Sequence, residues 1–168
     1  MKLNIGAGSV RREGFLSVDI RAAAGVDIVS NAWELSTIAP QSVSEIYTRH
    51  MVEHLDPNDA KLSLRRWFEI LQPGGRINIV VPDIEFHARQ LLGAATSHLP
   101  DQQAHAYAGF FGWRDETRGG NREDAHRWGY TERSLVILMR DVGFTDIARV
   151  LSGVDSEPWH LNVVASRP

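Results

Sequence analysis

The chain has 168 residues, a length that suits one domain over residues 1–168 with a core large enough to need no disulfide or structural metal. Hydrophobic residues make up 43% and the formal net charge is -3, which indicates a globular protein and gives no basic excess for nucleic acid. The chain has no cysteine and no apolar stretch near the roughly 20 residues of a membrane span, so we predict a cytoplasmic protein without membrane contact.

The first third of the chain is typical of short strands. Lys2 to Ile5 alternates polar and apolar residues and leads into the turn Gly6-Ala7-Gly8. Further strands are predicted at Phe15 to Ile20, Val26 to Val29 and Ser42 to Thr48. So few residues separate Gly8 from the second strand that the usual crossover helix must be abbreviated.

The middle of the chain contains the strongest helix signal. Asp56 offers an N-cap carboxylate, Pro57 occupies the first helical position, and apolar residues then recur at offsets of three and four. Pro73-Gly74-Gly75 is expected to stop this helix, and Arg76 to Val81 predicts a central strand. A second helix is predicted from Ile84 to Leu92.

The last third combines an irregular segment with a regular end. Residues 93–128 have no steady period and are interpreted as an insertion that covers the substrate side. Thr131 is expected to cap a last helix that Gly143 ends, and Phe144 to Leu151 and Leu161 to Ser166 predict an antiparallel pair of strands at one edge. The order predicts an α/β fold, a Rossmann-like, doubly wound and mostly parallel sheet with an antiparallel edge strand, in a single domain without N-terminal cap helices.

Two features mark a ligand site at the carboxyl ends of the first two strands. Gly6 and Gly8 allow positive φ and a close approach of the backbone to a ligand. Asp19 ends the next strand, where a carboxylate can accept hydrogen bonds from both hydroxyls of a ribose. The alternative interpretation is a tight turn with a solvated strand end.

Five segments in order resemble class I S-adenosylmethionine-dependent methyltransferases, specifically the type 11 methyltransferase-domain group. The first segments are LNIGAG, SVD with Asp19, and SVSEIYTRHMVEHL. WFEILQPGGRINIVVP and HRWGYTERSLVILMRDVGF follow in the order of the family. The match spans almost the whole chain.

The resemblance implies S-adenosyl-L-methionine as the cofactor and methyl transfer as the reaction. The residues that it places at the cofactor are Asn4, Gly6, Ala7, Gly8, Asp19, Asn31, Ala32, Trp33 and His50. Asn31 occurs where the family usually has an acidic residue against the adenine. The chain also departs from the family pattern, because Val10 replaces the third glycine of the usual motif and no helix precedes the first strand.

Methyl transfer depends mainly on alignment of donor and acceptor, and a base helps when the acceptor carries a proton. The predicted catalytic residues are His50, Asp83 and His126, with His87 as a further candidate. His50 and Asp83 follow neighbouring predicted strands and are expected at the mouth of the crevice. For His126, a surface loop histidine is the alternative.

His50, Glu53 and His54 have a spacing at which one helical turn could present two imidazoles and a carboxylate to a metal. A glutamate at a helix start and a packed histidine explain the same spacing. We therefore predict no metal.

Aromatic residues flank the charged stretch RDETRGGNRED: Phe110, Phe111, Trp113, Trp128 and Tyr130. These residues could form a lid that covers the acceptor, and a small satellite core or a dimer contact is an equally good interpretation. The predicted partner is a small-molecule or saccharide-like acceptor, and a homodimer or partner chain is a further candidate for covering the site.

Two other functions share some of these features. A nicotinamide-dependent oxidoreductase has the same strand, glycine turn and acid, but Arg11 stands where its third glycine is required. A non-catalytic module that retains the cofactor fold is the second alternative. Binding of S-adenosylhomocysteine separates these alternatives.

Overall fold

The structure is a computed structural model that describes residues 1–114 and 124–168. These residues form one seven-stranded sheet, ordered β3-β2-β1-β4-β5-β7-β6. The strands are β1 Lys2–Ile5, β2 Leu16–Asp19, β3 Ile28–Val29, β4 Val43–Arg49, β5 Leu71–Pro82, β6 Thr145–Arg149 and β7 His160–Ser166.

The sheet has the mixed topology that the sequence predicts. Strands β1 to β5 pair in parallel, while β7 runs antiparallel to both β5 and β6. The antiparallel strand therefore lies one position inside the edge strand β6. The predicted α/β, Rossmann-like class with its antiparallel pair at one end is confirmed.

The described helices connect and cover this sheet. They are a short 3-10 helix Val52–His54, α1 Pro57–Ile70, α2 Ile84–Leu91, α3 Gln102–Phe111 and α4 Glu132–Val142. The buried side of α1, including Leu64 and Trp67, joins the central hydrophobic core together with Leu135 and Met139 of α4. None of the described helices is long and apolar enough to cross a membrane.

The ends of α1 differ in detail from the prediction. Asp56 is the N-cap residue and Pro57 begins the helix, but the Asp56 side chain makes no capping hydrogen bond. It pairs with Arg127 instead, at 3.0 Å between Nη1 and Oδ2. The helix also ends at Ile70, and β5 begins at Leu71 rather than at Arg76, because the glycine turn is accommodated by an irregular register between β4 and β5.

Helix α4 is capped as predicted. The Thr131 hydroxyl accepts from the Ser134 backbone N–H at 3.2 Å, and Ser134 Oγ in turn accepts from the Thr131 N–H. Gly143 ends the helix with φ 116, in the left-handed region that favours glycine.

No helix is predicted within residues 93–128, but their middle part forms α3. Asp101 caps this helix by accepting the Ala104 N–H at 2.8 Å. Its buried positions hold small residues and a histidine: His105, Ala106, Ala108 and Gly109. A helix that buries alanine and glycine gives a weak apolar period, which explains why the pattern was missed. Residues 115–123 of the insertion lie outside the described residues.

The short connection between β1 and β2 is also as predicted. The described residues between Ile5 and Leu16 contain turns and no helix, yet the two strands pair in parallel. The carboxyl ends of β1, β2, β4 and β5 consequently share one edge, where open α/β sheets bind ligands.

Candidate functional site

The turn after β1 is held closely to the end of β2. The Gly6 and Ala7 amides donate to the Val18 carbonyl at 2.9 and 3.1 Å, and the Gly8 amide donates to Asp19 Oδ2 at 2.8 Å. The glycine turn and the acidic residue thus form one unit.

Both glycines of this turn need their residue type. Gly6 has φ 74 and Gly8 has φ 54, values that side-chain-bearing residues rarely adopt. A Cβ on Gly6 would overlap the Met51 side chain, whereas a Cβ on Gly8 would meet nothing within 4 Å. Gly6 is required by packing, and Gly8 keeps the backbone open towards the adjoining cavity.

Asp19 is 8% exposed and is already oriented by the backbone. Its Oδ2 accepts the Gly8 amide, and its Oδ1 accepts the Arg21 amide at 3.0 Å. Each carboxylate oxygen has two acceptor sites, so both oxygens keep capacity for a ligand hydroxyl.

A cavity of about 710 Å³ opens beside this unit, within the range of small-molecule and cofactor sites. The predicted site residues that line it are Gly6, Ala7, Gly8, Asp19, Asn31, Ala32, Trp33 and His50. The Asn31 amide donates to Glu34 at 3.1 Å, and the Ala32 carbonyl accepts from the Trp67 indole at 2.8 Å. The wall after β3 is therefore fixed to α1.

Asn4 has a different position from the other predicted cofactor residues. It is 4% exposed, and its side chain donates to the Val10 carbonyl at 3.2 Å. Asn4 is not among the described residues that line the cavity. This hydrogen bond stabilises the turn after β1 at Val10, the residue that replaces the third glycine of the motif.

A second cavity of about 420 Å³ adjoins the first and shares His50, His54 and Asp124 with it. Six of the seven histidines of the chain line it: His50, His54, His87, His105, His126 and His160. Trp113 and Trp159 contribute apolar surface. This concentration of imidazoles was not predicted as a whole.

His50 lies where the two cavities meet. It follows β4 with φ 49, an uncommon conformation for a residue other than glycine, and its amide donates to the Val80 carbonyl at 2.9 Å. Its Nδ1 lies 3.1 Å from Glu53 Oε1, and its Nε2 lies 3.2 Å from His160 Nε2. The carboxylate thus orients the ring and directs Nε2 away from Glu53.

Asp83 is committed to structural contacts. Its Oδ1 accepts from the Glu85 and Phe86 amides at 3.0 and 3.3 Å, which caps α2. Its Oδ2 pairs with Arg149 at 2.7 Å. Asp83 is 4% exposed and is not among the described residues that line either cavity, so the geometry favours His50 over Asp83 as a base.

His126 and His87 both line the second cavity. His126 lies near the end of the predicted insertion, and His87 lies in α2. His126 Nδ1 lies 3.0 Å from the Gly109 carbonyl. His87 Nδ1 lies 3.3 Å from Gln90 Oε1, and its ring packs so closely on α3 that a Cβ at Gly109 would overlap it. Both rings therefore contact α3 at Gly109.

The aromatic residues predicted as a lid have separate environments. Trp113 lines the second cavity, whereas Tyr130 is 3% exposed in the core. Phe111 and Trp128 are 58% and 51% exposed. Trp159, which was not predicted, contacts His98, His105 and His160 through its ring. The only signal for Trp159 was its position just before the last strand.

Burial controls the protonation of the second cavity. It lowers the pKa of His87 to about 4, and it also lowers the pKa values of His105, His126 and His160. Burial by itself raises the pKa of Glu53, but the His50 hydrogen bond and the surrounding imidazoles hold that pKa below its ordinary value. The buried carboxylate of Glu53 thus lies beside His126, one of the rings whose pKa burial lowers.

No protein-family model matches the sequence, and no curated protein matches it. Solved structures of similar fold are found. A SAM-dependent methyltransferase from Archaeoglobus fulgidus is 18% identical, with a TM-score of 0.64 over 98% of this chain and 85% of that chain. One from Methanosarcina mazei is 17% identical, with a TM-score of 0.61 over 99% and 91%.

A third similar structure has a ligand. The 1,6-didemethyltoxoflavin-N1-methyltransferase of Burkholderia thailandensis was solved with bound 1,6-didemethyltoxoflavin and S-adenosylhomocysteine. It is 17% identical, with a TM-score of 0.62 over 98% of this chain and 69% of that chain. Together with the strand order, these similarities show that the chain has the fold of class I S-adenosylmethionine-dependent methyltransferases.

Proposed function

We propose that this protein binds S-adenosyl-L-methionine in the 710 Å³ cavity and methylates a small-molecule acceptor bound in the adjoining histidine-lined cavity. The observation that carries the proposal is the unit formed by the Gly6–Gly8 turn and Asp19, which faces the larger cavity at the carboxyl edge of the sheet. The fold is compatible with this function but does not identify the acceptor.

The residues around the larger cavity suit this cofactor. Gly8 leaves room for close approach of a ligand to the backbone, and Asp19 retains acceptor sites for a ribose diol. Asn31, Ala32 and Trp33 lie on a wall fixed to α1, where an adenine ring would find an amide and an apolar surface. When bound, the cofactor supplies an electrophilic methyl group on a sulfonium.

His50 is the proposed general base. Because the carboxylate of Glu53 can only accept, the Nδ1 of His50 carries the proton in that contact. Nε2 of the neutral ring then carries the lone pair, 3.2 Å from Nε2 of His160. An acceptor hydroxyl or amine would displace His160 from this contact and give its proton to His50 Nε2. Glu53 acts as a positioning residue, in the manner of an acid that orients a catalytic histidine.

The second cavity favours a small acceptor with an apolar ring and polar groups. Trp113, Trp159 and Leu99 supply flat and apolar contacts, and the imidazoles supply hydrogen-bonding groups. The net charge of -3 gives no support for a nucleic acid acceptor. Cytoplasmic location and coverage of the site by a second copy or a partner chain stay predictions.

Calorimetric titration with S-adenosylhomocysteine tests the binding step. Saturable binding at one site per chain is expected, and a parallel titration with NADH should give no heat of binding. Binding of NADH instead would favour the oxidoreductase alternative. Lack of binding to either ligand would leave the fold without this function.

Methyl transfer is tested by incubating a cell extract with the protein and isotope-labelled cofactor, followed by mass spectrometry of small molecules. A labelled product that depends on the protein is expected. Binding of the nucleoside with no labelled product in the small-molecule, protein and nucleic acid fractions would support the non-catalytic alternative.

A further inference from the structure

We propose that Glu53, His54 and His126 form a binding site for a divalent transition-metal ion of the Zn²⁺ type at the junction of the two cavities. One ligand atom from each of these residues lies within 4.8 Å of the others. The three residues come from two distant parts of the chain, the 3-10 helix after β4 and the end of the insertion. This departs from the sequence-based expectation of no metal, and it does not depend on the proposed methyl transfer.

The hydrogen bonds of His54 and His126 leave the Nε2 atom of each ring available to bind a metal ion. His54 Nδ1 lies 3.1 Å from the Ala125 carbonyl, and His126 Nδ1 lies 3.0 Å from the Gly109 carbonyl. A carbonyl can only accept, so Nδ1 carries the proton in both neutral rings and Nε2 carries the lone pair. Metal-binding histidines commonly have this arrangement, with one nitrogen donating to a carbonyl and the other on the metal.

Glu53 supplies a buried carboxylate that has one oxygen without a hydrogen-bond partner among the described residues. Glu53 is 1% exposed, and this oxygen is Oε2. Its other oxygen accepts from His50. A buried carboxylate oxygen without a partner is costly, and a cation held by the same group would remove that cost.

The contacts around the cluster keep the two histidine segments together. The Glu53 carbonyl accepts from the Arg127 and Trp128 amides at 2.8 and 3.1 Å, and the His126 amide donates to the Phe111 carbonyl at 3.2 Å. The rings of His54 and His126 meet edge to face at 5.1 Å between centroids. The ligands are thus brought together by the backbone before any ion is present, which limits the ordering that binding requires.

The donor set indicates the class of ion. Two imidazoles and one carboxylate are a common set for zinc with an open fourth position, and they also suit other borderline transition metals better than Mg²⁺ or Ca²⁺. His54 lines both cavities, so an open position would be accessible to an acceptor oxygen.

The trio that spacing alone could place on one helical turn is His50, Glu53 and His54, for which the sequence predicts no metal. In the structure, the contact of His50 Nδ1 with Glu53 and of its Nε2 with His160 gives that ring other partners. His126, distant in sequence, joins the cluster instead. One-dimensional spacing could not reveal this pairing.

The test uses the full chain without an affinity tag, stripped with a chelator and titrated with Zn²⁺ against a chromophoric competitor at pH 7. One equivalent per chain is expected. The double variant His54→Ala/His126→Ala should weaken the affinity by at least about 100-fold, since loss of outer contacts alone commonly costs 10- to 100-fold. Co²⁺ should give the visible absorption of a bound, low-coordinate ion in the original protein only.

His98→Ala is the matched control because His98 is the one histidine that does not line the second cavity. Its Zn²⁺ affinity should equal that of the original chain. Equal affinities for the original protein, the control and the double variant would overturn the proposal, as would the lack of a stoichiometric site in the original protein.

The double variant needs a check of folding, by circular dichroism and by urea titration, because His54 lines the larger cavity. If it misfolds, His54→Gln and His126→Gln are tested singly, and each should still lose Zn²⁺ affinity. If the original protein binds S-adenosylhomocysteine but not Zn²⁺, only the metal site is overturned. Zn²⁺ binding without nucleoside binding overturns only the proposed methyl transfer.

Discussion

Replacing Asp19 by asparagine changes charge and acceptor capacity at the proposed ribose site while keeping the side-chain shape. In the structure, the two oxygens accept the Gly8 and Arg21 amides at 2.8 and 3.0 Å. The remaining acceptor sites would receive two ribose hydroxyls. Asp19→Asn converts a charged acceptor into a neutral one and places an NH₂ group against one of the two amides.

The magnitude follows from the two hydroxyl contacts. Hydrogen bonds to charged groups contribute about 1.5–3 kcal/mol and those between neutral groups about 0.5–1.5 kcal/mol. A loss of about 1–1.5 kcal/mol for each contact gives about 2–3 kcal/mol in total. At about 1.4 kcal/mol for each factor of ten, Kd for S-adenosylhomocysteine should rise by about 30- to 140-fold.

Asp27→Asn is the matched control for this experiment. Asp27 Oδ2 also accepts a backbone amide, that of Ser17 in β2, at 2.8 Å, but Asp27 is not among the described residues that line the larger cavity. Both variants should lose some stability, and only Asp19→Asn should lose affinity in calorimetry. Equal affinities of Asp19→Asn and the original protein would refute the ribose assignment, and equal losses in both variants would attribute the effect to folding.

Three further outcomes are expected. His50→Ala should slow methyl transfer by about 100-fold or more while changing S-adenosylhomocysteine affinity much less, as measured by labelled-product formation and calorimetry; full activity would exclude His50 as the base. Gly109→Ala should lower the free energy of unfolding by about 1–3 kcal/mol in urea titrations, because its methyl would overlap the His87 ring, whereas Gln103→Ala on the exposed side of α3 should have little effect. The folded-state pKa of His87, about 4, lies below the ordinary 6.5, so the contribution of neutral His87 to stability is complete above pH 6.5 and declines as the pH falls towards 4. His87→Asn should therefore reduce the loss of unfolding free energy between pH 7 and 5 by about 2 kcal/mol. An unchanged pH dependence of stability would contradict this environment for His87.

The fold could be predicted because its strongest signals are local. Asp56-Pro57 begins α1, Thr131 and Gly143 bound α4, and the apolar run in β5 marks a strand covered on both faces. Each of these patterns depends on backbone geometry within a few residues. Helix α3 was missed because its buried side, with Ala108 and Gly109, packs through small residues instead of large apolar ones.

The candidate site was only partly predictable. The turn residues follow β1 and Asp19 ends β2, so the rule for strand ends in parallel sheets was sufficient to place them together. Asp83 obeys the same rule, but its carboxylate is occupied by the cap of α2 and by Arg149, a residue distant in sequence. A strand-end position therefore predicts proximity to the crevice, but tertiary contacts decide whether the side chain is available.

Backbone contacts attach the end of the predicted insertion, residues 93–128, to the 3-10 helix Val52–His54. The backbone carbonyl of Glu53 accepts hydrogen bonds from the Arg127 and Trp128 amides. The Ala125 carbonyl orients the ring of His54, and the Gly109 carbonyl orients the ring of His126. The end of the insertion is thus bound to the same 3-10 helix that follows the central strand β4. Any change that loosens this attachment would displace His54 and the ring of His126 together, and through Glu53 it would also release His50. The geometry of the proposed base and of the proposed metal site consequently depends on one set of backbone contacts.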